Sequence, residues 1–337
     1  MRIGDNPEKH SNQLEIDSYH RVVIPVYIPN LTEDYFRDGL KILKLCLGTL
    51  LHTINPKTRI SIIDNGCCDE VINYLKEQFA AHKAIDQLLH SKINLGKVNA
   101  LYSAIKSNLE PIISITDADV MFLPGWQEGV EGVLNDFPEA GMVSPVPTSR
   151  GYASIYTYST AYYGLFKGKL AFSDVADPDG MIKFQESIGR QMYEPIHLEK
   201  YLTVANKRSK AVIGCGHFVA TFRAEVFEHA PTENCHVKIV GGSENNYLDI
   251  PNDKGGFLRL STLKNYAYHL GNSEEDWMLK KYDEVLAHPK NEHILASLSK
   301  PHPISKRGYF VGKVMHKLLF SKFKRSFFKL KGMKQPY

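Results

Sequence analysis

At 337 residues, with 43% hydrophobic and 23% charged side chains, the chain can build a sizeable core, which excludes disorder, collagen and coiled coil for its bulk. No apolar run reaches the roughly eighteen residues of a spanning helix, and MRIGDNPEKHSNQLEID lacks the apolar segment of a secretory leader. The net charge of +4 hides a division: from Pro301 onward there are ten Lys/Arg and no Asp or Glu, whereas the first 300 residues carry 31 basic and 37 acidic side chains.

Residues 1–18 read as a polar, aperiodic arm. RVVIPVYIP gives a buried strand over Val22–Val26, with Pro25 confining it to a sheet edge or a strand end. Phe36, Leu40, Leu43, Leu47, Leu50 and Ile54 recur at spacings of four and three, which predicts a helix. RISIID is a second strand and CDEVINYLKEQF a second helix, with Asp69 near its start. LLHSKIN is a weak third strand, GKVNALYSAIKS a third helix and PIISITDADV a strong fourth strand. This alternation predicts a three-layer α/β/α fold with a mostly parallel central sheet. Residues 141–215, rich in Tyr with scattered Pro and Gly, give no clear period. KAVIGCGHFVATFRAEVF reads as strand, turn, strand and helix start, and FLRLSTLKNYAYHLGN as apolar pieces that end at His269. No repeat or linker divides the chain. Five cysteines without the paired spacing of a zinc site read as reduced thiols of a cytosolic protein.

The basic C-terminal stretch YFVGKVMHKLLFSKFKRSFFKLKG mixes large apolar and basic residues at near-helical spacing. Val311, Met315, Leu318, Phe323, Phe327 and Leu330 line one predicted face, with Lys313, Lys317 and Lys324 away from it. The preferred reading is an amphipathic helix on an anionic membrane surface. Packing back onto the body is the alternative. Nucleic acid is disfavoured, because no recognition motif accompanies the charge.

In IISITDADV, Asp117 and Asp119 stand two residues apart in the turn ending a buried apolar strand, the end at which open α/β sheets bind ligands. Two carboxylates there are costly unless something positive compensates, and a divalent cation bridging a diphosphate answers that need. For a lone Asp-x-Asp, a solvated turn is the alternative. Position in a series favours the first reading. Strand one ends in Pro25-Val26-Tyr27, strand two in Asp64-Asn65-Gly66, strand three in Asn94-Leu95-Gly96-Lys97 and strand four in Asp117-Ala118-Asp119.

In that order, IPVYIPN, IIDNGCCDE, INLGKVNALYSAI and ISITDADVMFLPGW resemble the successive motifs of the family 2 glycosyltransferases with the GT-A fold, over about residues 20–126. The resemblance implies a GT-A, Rossmann-like fold and metal-dependent transfer of a sugar from a nucleotide-diphosphate donor, with UDP the expected nucleotide. It implies Pro25, Val26, Tyr27 and Asp64 around the base, and Asn94, Gly96 and Lys97 near the nucleotide and its phosphates. Lys97 reads equally well as a surface lysine at a helix start. Asp117, Ala118 and Asp119 would flank the ribose and Mn²⁺ or Mg²⁺, with Asp119 the firmer direct ligand. Where the family commonly has Asp-Gly-Ser after its first Asp, this chain has Asn65-Gly66-Cys67-Cys68.

Gly241 to Asp249, GGSENNYLD, resembles the stretch that holds the catalytic base of inverting members, except that the residue after Glu244 is Asn245. Glu244 is the expected base, with Asp249 and Asp253 in reserve; a loop acid capping a helix is the alternative. His269 resembles the late histidine that completes the metal site. His217 falls where such enzymes form the acceptor-side wall, or is an ordinary turn histidine.

The implied reaction is inverting transfer to a hydroxyl of a glycan or lipid-linked glycan, in cell-surface polysaccharide synthesis at the inner face of the membrane. A retaining enzyme stays open, as does a non-catalytic scaffold for nucleotide or glycan, which Asn245 favours. A nucleotidyltransferase is disfavoured, since IPVYIPNLTEDY lacks the Gly-rich basic loop it would need. The expected organisation is an arm at 1–18, a catalytic domain at 19–275 with nucleotide-binding (19–125) and acceptor (126–275) halves, and a basic helical extension at 276–337.

Overall fold

A computed structural model describes residues 3–10, 14–239, 241–335 and 337; residues 1, 2 and 11–13 of the expected arm lie outside them. The predicted alternation is present as β1 (His20–Val26), α1 (Gly39–Thr53), β2 (Thr58–Asn65), α2 (Asp69–Ala81), β3 (Ile85–Ser91), α3 (Lys97–Ile105) and β4 (Ile112–Thr116). There follow β5 (Val120–Phe122), α4 (Trp126–Asp136), β6 (Ala140–Ser144), α5 (Tyr158–Phe166), β7 (Lys169–Asp174), α6 (Pro178–Ser187), α7 (Pro195–Glu199), β8 (Lys200–Ala205), β9 (Lys210–Ile213) and β10 (Val219–Arg223). The chain continues through α8 (Ile250–Lys254), β11 (Leu258–Ser261), β12 (Ala267–His269), α9 (Asp276–Ala287), α10 (Lys306–Met315) and α11 (Lys324–Leu330).

Ten strands form one sheet in the order β3-β2-β1-β4-β10-β6-β11-β9-β8-β7. Only β10, β9 and β7 run against the rest, so the sheet is mostly parallel, as expected. The continuous apolar run of β1 is explained by burial on both faces. Val22 and Ile24 pack with Leu43 and Leu47 of α1 and Leu75 of α2, whereas Val23 packs with Ala100, Leu101 and Ala104 of α3. These two apolar layers are the three-layer arrangement read from the sequence. β1 lies inside the sheet rather than at its edge. Pro25 is tolerated because it stands near the strand end, two residues beyond Val23, where pairing with β4 stops.

The stretch without a clear period, 141–215, supplies β6 and the antiparallel β7, β8 and β9 at the far end of the sheet. Across the sheet, α4 is fastened by a buried polar string. His20 Nδ1 lies 2.7 Å from Glu131 Oε1, His20 Nε2 lies 2.7 Å from Ser114 Oγ, and Ser114 meets Thr221 at 2.7 Å. These groups are fully enclosed and so hold the fold rather than meet a substrate. Arg223 is also enclosed, donating to the carbonyls of Leu134, Ala140 and Ser299.

The C-terminal tail folds back onto the body, and its inward side differs from the predicted apolar face. Of the six residues assigned to that face only Phe327 is buried. The inward side is instead Gly308, Gly312, His316, Phe320, Phe327 and Phe328. A Cβ on Gly312 would lie 2.1 Å from the Tyr158 carbonyl of α5, so the helix approaches where only glycine fits. Glycines carry no hydrophobic signal, and a π-helical turn at His316–Lys322 shifts the period, so spacing did not show the inward side, while Val311, Leu318, Phe323 and Leu330 of the predicted face are exposed. Among the described residues no helix is long and apolar enough to cross a membrane.

Candidate functional site

The carboxyl ends of β1, β2 and β4 and the start of α3 converge, and the chain crosses from β3 on one side of β1 to β4 on the other. Such a switch point opens a crevice above the strand ends.

Beyond β4, the short ladder between β5 and β12 pairs His269 with Val120, and Leu270 N–H donates to the Asp119 carbonyl at 2.7 Å. This register sets His269 Nε2 3.5 Å from Asp119 Oδ2. Ser187 Oγ lies 2.9 Å from the other ring nitrogen, and Phe184 and Phe218 meet the ring edge-on. One ligand atom from each of Asp117, Asp119 and His269 lies within 4.8 Å of the other two. Asp119 Oδ1 is closed off from solvent and has no hydrogen-bond partner among the described residues. Burial pushes Asp119 up to about 6, helped by the neighbouring Asp117 charge and opposed by His269 and Lys97. An orphaned carboxylate oxygen beside a second carboxylate and an imidazole fits a divalent cation.

Lys97, the first residue of α3, bridges two acids. Its Nζ lies 2.5 Å from Asp117 Oδ1 and 2.5 Å from Glu244 Oε1. Burial disfavours its charge, but the two carboxylates outweigh this and raise its pKa. Of the two readings left open for Lys97, the geometry excludes an ordinary surface lysine. Gly96 precedes it at φ +82°, and a Cβ there would stand 3.0 Å from the Val237 carbonyl.

Behind Glu244 a π-helical turn, Asn245–Asp249, carries Asp249 inward to 1% exposure. Arg259 Nη2 lies 3.0 Å from Asp249 Oδ1, an ion pair by distance but not aligned as a hydrogen bond. His217 Nδ1 is 3.4 Å from Asp249 Oδ2, and its Nε2 is 3.7 Å from Glu244 Oε2. Burial lowers the His217 pKa, yet Asp249 and Glu244 outweigh burial and leave it raised. Asp253 lies apart from this group, accepting from the Tyr158 and Ser159 amides at the start of α5.

On the β2 side, Asp64 is buried. Its Oδ1 accepts from the Gly66 and Cys67 amides, and its Oδ2 lies 2.5 Å from His90 Nδ1. Asn94 Oδ1 accepts from Gly96 N–H and Asn65 Nδ2, closing the next loop. The Cys67 thiol donates to the Val26 carbonyl and accepts from Ile28 N–H, tying the ends of β1 and β2 together. Val26 is enclosed, Tyr27 is exposed against Phe36, and Pro25 and Ala118 are half-buried.

Sequence reasoning missed His90, Ser187 and Arg259. Only Arg259 carried a signal: an arginine within the apolar run FLRLS needs buried acceptors, and Asp249 is one of them, beside the Cys215 carbonyl. His90 and Ser187 stand in segments whose partners are set by long-range packing.

No family model matches the chain, and no curated protein matches it. Among solved structures the chain is similar to the mannosyltransferase PcManGT from Pyrobaculum calidifontis in complex with GDP-Man and Mn²⁺, at 17% identity and a TM-score of 0.41. The match covers 72% of this chain and 54% of that one, so the chain spans about half the length of the structure it matches.

Proposed function

We propose that the protein is a metal-dependent glycosyltransferase that moves a sugar from a UDP-linked donor to a hydroxyl of a glycan or lipid-linked glycan, with inversion, in cell-surface polysaccharide synthesis at the cytoplasmic face of the membrane. The observation that carries this reading is the convergence of Asp117, Asp119 and His269 at the end of β4, with Asp119 Oδ1 orphaned and Lys97 alongside.

Asp117, Asp119 and His269 would hold Mn²⁺ or Mg²⁺, which supplies neutralising charge to the diphosphate. Lys97 releases its carboxylates and turns to the diphosphate, stabilising the charge that builds as the sugar C1–oxygen bond breaks. Glu244 takes the proton of the acceptor hydroxyl as its oxygen bonds to C1 on the opposite face, and the electron pair of the broken bond leaves with the diphosphate. His217, oriented by Asp249, positions Glu244. Asp64 Oδ2, with Pro25, Val26 and Tyr27, shapes the place of the base, and Asn94 and Gly96 form the loop beside the phosphates.

The test is thermal denaturation with UDP, GDP, dTDP or CMP, each with and without Mn²⁺. Ligand at about 100 times its Kd adds roughly 2.7 kcal/mol, a shift of several degrees. Stabilisation by UDP that requires Mn²⁺ and is lost in Asp119→Ala is expected. A shift with GDP alone would reassign the nucleotide, and no shift with any nucleotide would overturn the donor site.

A further inference from the structure

Docking of the tail leaves its opposite side uncovered. Phe310, Val311, Val314, Leu318, Phe323 and Leu330 are exposed, Phe310 at 65% and Leu330 at 84%. Phe310, Val314 and Leu318 follow one another at intervals of four, two positions out of step with the inward Gly308, Gly312 and His316, which puts the two sets on opposite sides of one helix. Eight of the ten basic side chains from Pro301 onward are also exposed, and no acidic residue stands among them. Large apolar groups in water amid charge of one sign mark a binding surface, and this combination matches a bilayer, whose interior takes Phe and Leu while its anionic headgroups meet Lys and Arg.

We propose that this outward side of the C-terminal helices docks on an anionic lipid bilayer, while the inward side keeps the tail fixed to the body. A tail anchored in this way couples the membrane to the site. His316 Nε2 lies 2.9 Å from the Tyr152 carbonyl, and Phe328 packs edge-on against the Tyr152 ring. Next to Tyr152, Gly151 stands against Gly214 so closely that a Cβ would meet its Cα at 2.6 Å. Ser154, at the end of the same loop, accepts from Arg259, the ion-pair partner of Asp249. The loop Gly151–Ser154 therefore backs the wall that holds His217 and Asp249 on one side and the membrane-facing helices on the other. Docking itself stands apart from the transfer chemistry; only its use in presenting a lipid-linked acceptor rests on that reading.

The test is co-flotation of the full chain with vesicles of phosphatidylcholine, with and without phosphatidylglycerol, at low and high salt. The expected result is binding that requires phosphatidylglycerol and weakens with salt. Phe310→Ser, Phe323→Ser and Leu330→Ser together should lower that binding by roughly tenfold or more, since each removes apolar insertion, and leave the Tm within about 1 °C. Equal binding of the variant and the parent, or equal binding to neutral vesicles, would overturn the proposal. Retention on RNA or heparin without vesicle binding would overturn it in favour of a soluble polyanion. UDP–Mn²⁺ stabilisation measured on the same samples reports the donor site separately, so either proposal can fail without the other.

Discussion

Lys97 and Glu244 are 147 residues apart in the chain, and their Nζ and Oε1 atoms lie 2.5 Å apart. The same ammonium touches Asp117, so one cation holds an acid of the proposed metal set and the proposed base in a single cluster. Lys97→Met leaves both carboxylates facing each other in a largely enclosed place, a loss of about 1–3 kcal/mol. The Tm should fall by a few degrees in EDTA, and Mn²⁺ should narrow the gap to the parent by replacing charge at Asp117. Equal Tm values in EDTA would refute the compensation.

Ser187 fixes the His269 ring from the side away from Asp119. A ligand histidine whose second nitrogen loses its partner binds metal about 10–100-fold more weakly. Ser187→Ala should therefore weaken Mn²⁺ binding by about tenfold in calorimetric titration while the parent fold persists. Unchanged affinity would show that Phe184 and Phe218 orient the ring unaided.

Burial pushes the Asp253 carboxyl up to about 6, against the opposing pull of the Ser159 and Tyr158 amides. The sign follows from linkage. The folded state holds this proton more tightly than the unfolded chain, so the stabilising contribution is complete below about pH 4 and is lost as pH rises through about 6. Asp253→Asn lacks that loss, and the Tm of the variant minus that of the parent should climb between pH 4 and 7. A flat difference would contradict the raised value.

Among the described residues Arg223 forms no ion pair, and it donates to carbonyls at the end of α4, in β6 and at Ser299. Replacing it with Met removes the Arg223 donor from all three carbonyls, with Leu134 keeping only the long 3.4 Å bond from Ser299 Oγ, at about 1–3 kcal/mol for each one left unpaired away from water. Arg223→Met should lower the Tm by several degrees and open the stretch around Ser299 to limited proteolysis. Parent-like digestion would show that the stretch is held by other contacts.

Gly312→Leu tests the fit of α10 against α5. With no room beside the Tyr158 carbonyl, the helix must move away, and trypsin should then cleave at Lys313 and Lys317 while the body stays folded. Resistance equal to the parent would mean that the aromatic cluster around Phe328 and Tyr337 holds the tail alone.

The first half of the fold was legible because its information is local. Apolar runs such as Val22–Ile24 and spacings such as Leu43, Leu47 and Leu50 state strand and helix without reference to distant residues. The second half was not, since β7, β8 and β9 are antiparallel partners chosen by one another across turns that the sequence marks weakly. The site divides the same way. Asp117 and Asp119 were legible as carboxylates at a strand end, and His269 through its resemblance to the late histidine of the family. That Asp249 faces Arg259, or that Lys97 reaches Glu244, depends on packing between segments over a hundred residues apart for Lys97 and on a π-helical turn for Asp249.

The ladder between β5 and β12 is three residues long and has a consequence beyond pairing. Side chains alternate across a strand with a period of two, so a slip of one residue would turn His269 to the opposite face. One residue gained or lost between Ser261 and Ala267 can thus break up the proposed cation site while Asp117, Asp119 and His269 all stay in the sequence. An inventory of motifs would count such a chain as intact, and only the register would reveal that it is not.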